Sequence, residues 1–365
     1  MPVNVGLAHV SDHFLLFTVV VYSLAMLAFA GDLAYGRRRA AARVTAAAPA
    51  RAPELVGAPA GDGTAAGEAA HGGGAGSAGE AGRAGGAAPG AGRAAPGADG
   101  PRAGERAARE PAGPWVRAAL ALAAIGLAAH VLGIVTRGLA VHRVPWGNMY
   151  EFVTAITCGA IIAFLLLVAR YRAYFLGLFV MIPVVLGLGL CATVLYTAAG
   201  PLMPALHSYW IAIHVTAAII ASGTFTVAVT ANVAYLLADR YSRRVQAGLP
   251  TGVSGIMRRL PKPEVLDRLS YRTVVFAFPV WTFAIMAGAI WADQAWGRYW
   301  GWDPKETWSF ITWVVYAGFL HARATAGWRG RRSAYIQLAG FACLMFNLIG
   351  VNIWITGLHS YSGIG

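Results

Sequence analysis

Apolar residues recur along this chain in runs, separated by short polar breaks. A helix crosses a bilayer with about 20 apolar residues, and eight stretches meet or approach that length. They lie at about 14–35, 115–136, 149–169, 174–196, 209–238, 273–292, 307–322 and 335–357. The fifth is long and the seventh short. The pattern predicts an all-α integral membrane protein of about eight transmembrane helices. Arg37, Arg38 and Arg39 follow the first run and no Lys or Arg precedes it. That polarity is wrong for a cleavable signal peptide, so residues 1–35 read as an N-terminal transmembrane helix.

Residues 36–113 are different material. From Ala46 to Gly113 the chain is almost all Ala, Gly and Pro with scattered charges. Such a stretch has too little apolar surface to offset its ordering entropy. It reads as a disordered cytoplasmic linker to a seven-helix body over 114–365. His71 within it has no partner nearby and reads as solvated rather than as a metal ligand.

Composition strengthens the membrane reading. Of 365 residues 57% are hydrophobic and 12% charged, about half the charge of a soluble domain. The net charge of +13 follows topology. Of the 29 Lys and Arg, all but Arg137, Arg143, Arg298 and Lys305 fall in or beside the segments 36–114, 170–173, 239–272 and 323–334. The positive-inside rule makes those segments cytoplasmic and puts both termini outside. Basic residues spread over loops beside apolar spans do not form a nucleic-acid surface. Cys158, Cys191 and Cys343 stand singly inside apolar runs with no C-x-x-C pair. They read as small hydrophobes and not as thiol–disulfide catalysts.

The candidate chemistry lies in the outer loop between the sixth and seventh runs. Residues 291–308 hold Trp291, Trp296, Trp300, Trp302 and Trp308, with Trp313 just beyond. An interfacial aromatic belt explains one or two such rings. It does not explain a cluster interleaved with Gly297 and Gly301, which permits a tight turn and close approach by a flat partner. Several indoles facing one way would form a shelf for an extended π-system, with Asp303, Lys305 and Glu306 fixing the loop or its polar edge. His214, near the outer start of the fifth run, and His359, just past the eighth, lie at the same level. Facing imidazoles can ligate heme iron through Nε2. A lone intramembrane His, however, is more often a helix–helix hydrogen bond. His321 lies at the inner end of the seventh run, where its ring either reaches the headgroups or serves a function. His9 and His13, placed before the first helix, and His130, His142 and His207 belong to no constellation. Asp32 is expected to face the headgroups.

Trp296-Gly-Arg-Tyr-Trp300-Gly-Trp302-Asp303-Pro304-Lys305-Glu306-Thr307-Trp308 resembles the tryptophan-rich "WWD" signature of heme-handling membrane proteins. The Asp-Pro-Lys-Glu-Thr form is most similar to the CcsA/ResC family of System II cytochrome c biogenesis. Other pieces agree in order: Trp146-Gly-Asn148-Met-Tyr150-Glu151, Trp210-Ile-Ala-Ile-His214, Leu320-His321-Ala-Arg323, and Gly350-Val-Asn352 through Gly357-Leu-His359-Ser-Tyr361. The resemblance covers about 115–363. It implies that His214 and His359 ligate an external heme b, that Trp296, Trp300, Trp302, Asp303 and Trp308 belong to its binding loop, and that His321 ligates heme within the membrane. It further implies plasma-membrane location, a ResB/CcsB-type partner supplying the second inner ligand, apocytochrome c as acceptor, and a thiol-reductant pathway of the ResA/CcdA kind. The implied activity is that of a holocytochrome c synthase subunit. A System I-like heme exporter and a quinol-oxidising heme subunit are the rival readings.

Overall fold

The computed structural model describes residues 3–36, 112–201, 206–250, 257 and 259–359. The expected linker lies almost wholly outside the described residues, as does His71. Every regular element among the described residues is helical. The eight principal helices are α1 (Val5–Gly31), α2 (Pro114–Val141), α3 (Met149–Tyr171), α4 (Gly177–Thr193), α5 (Tyr209–Gln246), α6 (Pro263–Trp296), α7 (Pro304–Ala324) and α8 (Arg331–Met345). A π-helical turn, Phe346–Gly350, and a last α turn, Val351–Trp354, extend α8. Seven of these helices are long and apolar enough to cross a membrane. α7 is 21 residues long, with Lys305 and Glu306 at one end and His321 and Arg323 at the other. The protein is an all-α, multi-pass membrane protein.

Several helices outrun the apolar stretches that announced them. α1 begins at Val5, so His9 and His13 lie on the helix and not before it. α6 starts at Pro263, and α5 runs on to Gln246. Apolar length marks the part of a helix that can sit in hydrocarbon, whereas backbone hydrogen bonding continues until a cap stops it. Those caps are legible one by one. Asn4, Asn148 and Ser208 accept hydrogen bonds from the first turns of α1, α3 and α5. Proline opens α2, α6 and α7, where its missing N–H has no partner to lose.

α5 is the most enclosed of the crossing helices and packs against α6, α3 and α8. Lipid offers no hydrophobic drive between helices, so close backbone approach decides the packing. At Gly223 on α5 an added Cβ would stand 2.8 Å from the Ala160 backbone nitrogen on α3. α1 packs along α2, and Ser11 donates to the Gly133 carbonyl at 2.8 Å. His130, buried at mid-span, meets the Tyr22 ring of α1 at 5.9 Å. The Asp32 and Leu33 carbonyls at the end of α1 accept from Arg259.

Charged clusters tie both ends of the bundle. At the tryptophan-loop end, Glu151 accepts from Arg137 Nε at 3.1 Å, Arg143 Nη1 at 2.9 Å and the Gly147 N–H at 2.8 Å. Its side chain is 1% exposed. A buried carboxylate persists only with such pairing. At the opposite end Arg323 forms a two-point pair with Asp267 at 2.7 and 2.8 Å and also donates to Ser333.

Candidate functional site

The loop between α6 and α7 owes its shape to two acids. Gly297 ends α6 in the left-handed region at φ 70°, a conformation that a Cβ disfavours. Trp302 also takes a positive φ of 56°. Glu306 holds this turn, its Oε2 accepting from the N–H groups of Gly301 at 2.8 Å and Asp303 at 3.1 Å. Asp303 caps α7 and completes a capping box with Glu306, satisfying N–H groups that the helix cannot.

Asp303 also reaches the end of the chain. It accepts from the Leu358 N–H at 2.7 Å and from His359 Nδ1 at 2.8 Å. Gly357 makes this possible, since a Cβ there would lie 2.7 Å from Asp303 Oδ1. Burial raises the Asp303 pKa, but the hydrogen bonds from His359, Leu358 and Lys305 outweigh it and hold the carboxyl below its usual range. Burial likewise pushes the His359 imidazole down, against the opposing pull of Asp303. A neutral imidazole is the form that binds metal.

His214 enters from α5. Its Nδ1 lies 2.8 Å from the Ala284 carbonyl of α6, which can only accept, so Nδ1 carries the proton. A Cβ at Gly288 would stand 2.7 Å from this ring; α6 has glycine where the imidazole crosses it. Trp291 lies parallel to His214 at 6.2 Å between centroids and is tilted against His359 at 5.7 Å. Trp296 completes the group, 4.7 Å from Trp291 and 4.9 Å from His359. Both imidazoles thus have Nδ1 engaged, one by a carbonyl and one by a carboxylate. Hydrogen bonds of this kind orient metal-binding histidines, and Nε2 is then the nitrogen a metal would take.

His214, His359, Trp291, Trp296 and Trp300 line one cavity of about 1110 Å3, counted out to its open mouth. The segment leading into α3, from Trp146 to Met149, forms another wall, and the buried Ser222 and Asn347 line the cavity as well. Ser222 Oγ, Asn347 Oδ1 and Glu306 Oε1 are buried without a hydrogen-bond partner. Among the described residues no three His, Cys, Asp or Glu side chains gather as for a bare metal ion.

The five loop tryptophans do not all face one way. Trp302 is 66% exposed and does not line the cavity. Trp308 turns to Phe346 on the π-helical turn, 4.2 Å between centroids. His321 lies on α7 about 24 Å from Lys305, at 1.5 Å per residue, and is exposed at the opposite end of the helix. His142 caps α2. Gly288 and the Ala284 carbonyl escaped sequence reasoning because neither carries a side chain that announces chemistry.

A family model described as "Cytochrome C assembly protein" matches residues 146–359, a span that starts with the cavity wall at Trp146 and ends on His359. The chain belongs to that family. It is 36% identical to a "Cytochrome c biogenesis protein CcsA" of Guillardia theta over 239 residues, 62% of this chain and 79% of the relative. A CcsA of Gloeobacter violaceus is 33% identical over 279 residues, covering 63% of this chain and 82% of its own length. One from Chlamydomonas reinhardtii is 41% identical over 163 residues, covering 45% and 43%. Family membership gives the protein a role in cytochrome c biogenesis.

Proposed function

We propose that this chain is the heme-handling subunit of a System II cytochrome c synthase. Heme b is its substrate, held at the outer face of the plasma membrane between His214 and His359 and presented to the Cys-x-x-Cys-His of apocytochrome c. The observation that carries the reading is the pair of imidazoles on one aromatic-walled cavity, each with Nδ1 engaged. The donor set fits iron already held in a porphyrin plane, because two imidazoles can supply the axial positions and no third ligating side chain gathers with them among the described residues. Trp296 and Trp300 supply apolar surface for the ring, and Asp303 keeps His359 in the ligating tautomer. Trp302 and Trp308 serve the same loop from outside the cavity, one exposed toward an incoming protein and one bracing the turn.

The bond-forming step adds each cysteine sulfur to a heme vinyl carbon while the thiol proton ends on the neighbouring carbon. Positioning accounts for most of the acceleration such a step needs. His321, exposed on α7, fits an inner heme site completed by a ligand from a ResB/CcsB-type partner. A reductant pathway of the ResA/CcdA kind would keep the acceptor cysteines reduced. The excess of Lys and Arg at the end opposite the tryptophan loop supports a cytoplasmic position for that end, with both termini outside.

Co-expression with a ResB-type partner and an apocytochrome, in a host lacking its own system, tests this. Covalent heme should form with the wild type, be lost in His214→Ala, His359→Ala and His321→Ala, and return in part with added imidazole. Heme that co-purifies without covalent product would instead favour an exporter. Absence of bound heme in a stable complex would refute the reading.

A further inference from the structure

Four cations lie at the tryptophan-loop end of the spans: Arg137, Arg143, Arg298 and Lys305. The structure accounts for three. Arg137 and Arg143 both pair with Glu151. Arg298 is exposed, and its guanidinium lies against Gly301, where a Cβ would collide with it. Lys305 remains, the one Lys or Arg among the described residues that line the cavity of His214 and His359.

Its position is costly. It occupies the first turn of α7, where the helix dipole disfavours positive charge. Among the described residues its ammonium enters no ion pair. It feels the charge of Asp303, but that carboxylate is committed to His359, Leu358 and the helix cap. Glu306, also on the wall, holds Gly301 and Asp303 through Oε2 alone, while its Oε1 is buried without a hydrogen-bond partner. A half-buried cation beside aromatic rings favours an anionic partner, and among the described residues no acid of the cavity wall forms an ion pair with Lys305.

We propose that Lys305 anchors a propionate carboxylate of the bound porphyrin. The inference rests on the heme reading above and adds the in-plane orientation of the ring. Two axial imidazoles leave a porphyrin able to rotate about the axis joining them. One propionate held at the first turn of α7 stops that rotation and leaves the vinyl edge on the side of the ring away from Lys305. Two cysteines can find two vinyls in one step only if those vinyls occupy the same place in every molecule.

The test is a binding titration of the purified full-length protein in detergent, with iron protoporphyrin IX and with its dimethyl ester, which has no carboxylate. The wild type should favour the free acid. Lys305→Met should weaken the free acid about tenfold, the scale of one charge-assisted hydrogen bond, and leave the ester unchanged. Lys305→Arg should retain most of the preference, and the bis-imidazole spectrum should persist throughout. Equal weakening of acid and ester in Lys305→Met would make Lys305 a structural residue and overturn the proposal. An unchanged preference would assign it to solvent or lipid headgroups and overturn it too. If the wild type binds neither porphyrin with a bis-imidazole spectrum, the heme reading falls with it.

Discussion

Replacing Asp303 removes the group that joins the two ends of the site. Its side chain is 4% exposed and accepts from Lys305 N, Leu358 N and His359 Nδ1. Losing the hydrogen-bond partner that orients a metal-bound histidine weakens metal binding about 10- to 100-fold, or about 1.4–2.7 kcal/mol. Losing the cap of α7 costs about a further 1 kcal/mol of helix stability. Asp303→Asn keeps a capping oxygen but removes the charge, so it should fall near the low end of that range and Asp303→Ala near the high end. Heme titration of the purified variants by absorbance reads both. The acid limb supplies a second signature. Burial holds the His359 pKa below 6.5, and Asp303 pulls it upward. A His with a lowered folded pKa contributes stability that is present above about pH 6.5 and is lost as pH falls through the folded value. Without the carboxylate that loss should move to lower pH, even as affinity at neutral pH drops. Asp303→Ala binding heme as tightly as the wild type, with an unmoved acid limb, would refute the view that this contact orients a ligand.

Other substitutions probe the rest of the framework. Gly288→Val should displace the His214 ring and abolish the bis-imidazole spectrum while the protein still folds, measured by absorbance beside circular dichroism. Glu151→Ala leaves the buried Arg137 with only the longer contact to Asp12 and the half-buried Arg143 without its carboxylate, and should destabilise the bundle by about 3 kcal/mol, read as early thermal aggregation in detergent. Gly223→Leu should force α5 from α3, with a comparable loss of thermal stability. Trp302→Ala should leave heme affinity within about twofold, since an exposed indole contributes little to a cavity it does not line. Trp296→Ala should weaken it by several-fold, and the same titration separates the two.

The sequence by itself determined the class of protein and pointed to the loop on which the candidate site is built. Eight apolar runs, an excess of Lys and Arg on alternate segments and a dense tryptophan loop are local properties, summed over neighbours along the chain. Caps such as Asn148 and Asp303 are equally local, although helix ends ran past the apolar runs because hydrogen bonding does not stop where hydrocarbon does. Only the tertiary structure decided which groups meet. The contact of Asp303 with His359 joins residues 56 apart, and that of His214 with the Ala284 carbonyl joins residues 70 apart. Both depend on how helices cross, which apolar periodicity does not encode. The same holds for the tryptophans. Composition groups all five, but a left-handed turn at Trp302 and the packing of Trp308 on Phe346 send those two away from the cavity. Side-chain direction follows backbone dihedrals and neighbouring surfaces, and these exist only once the bundle has assembled.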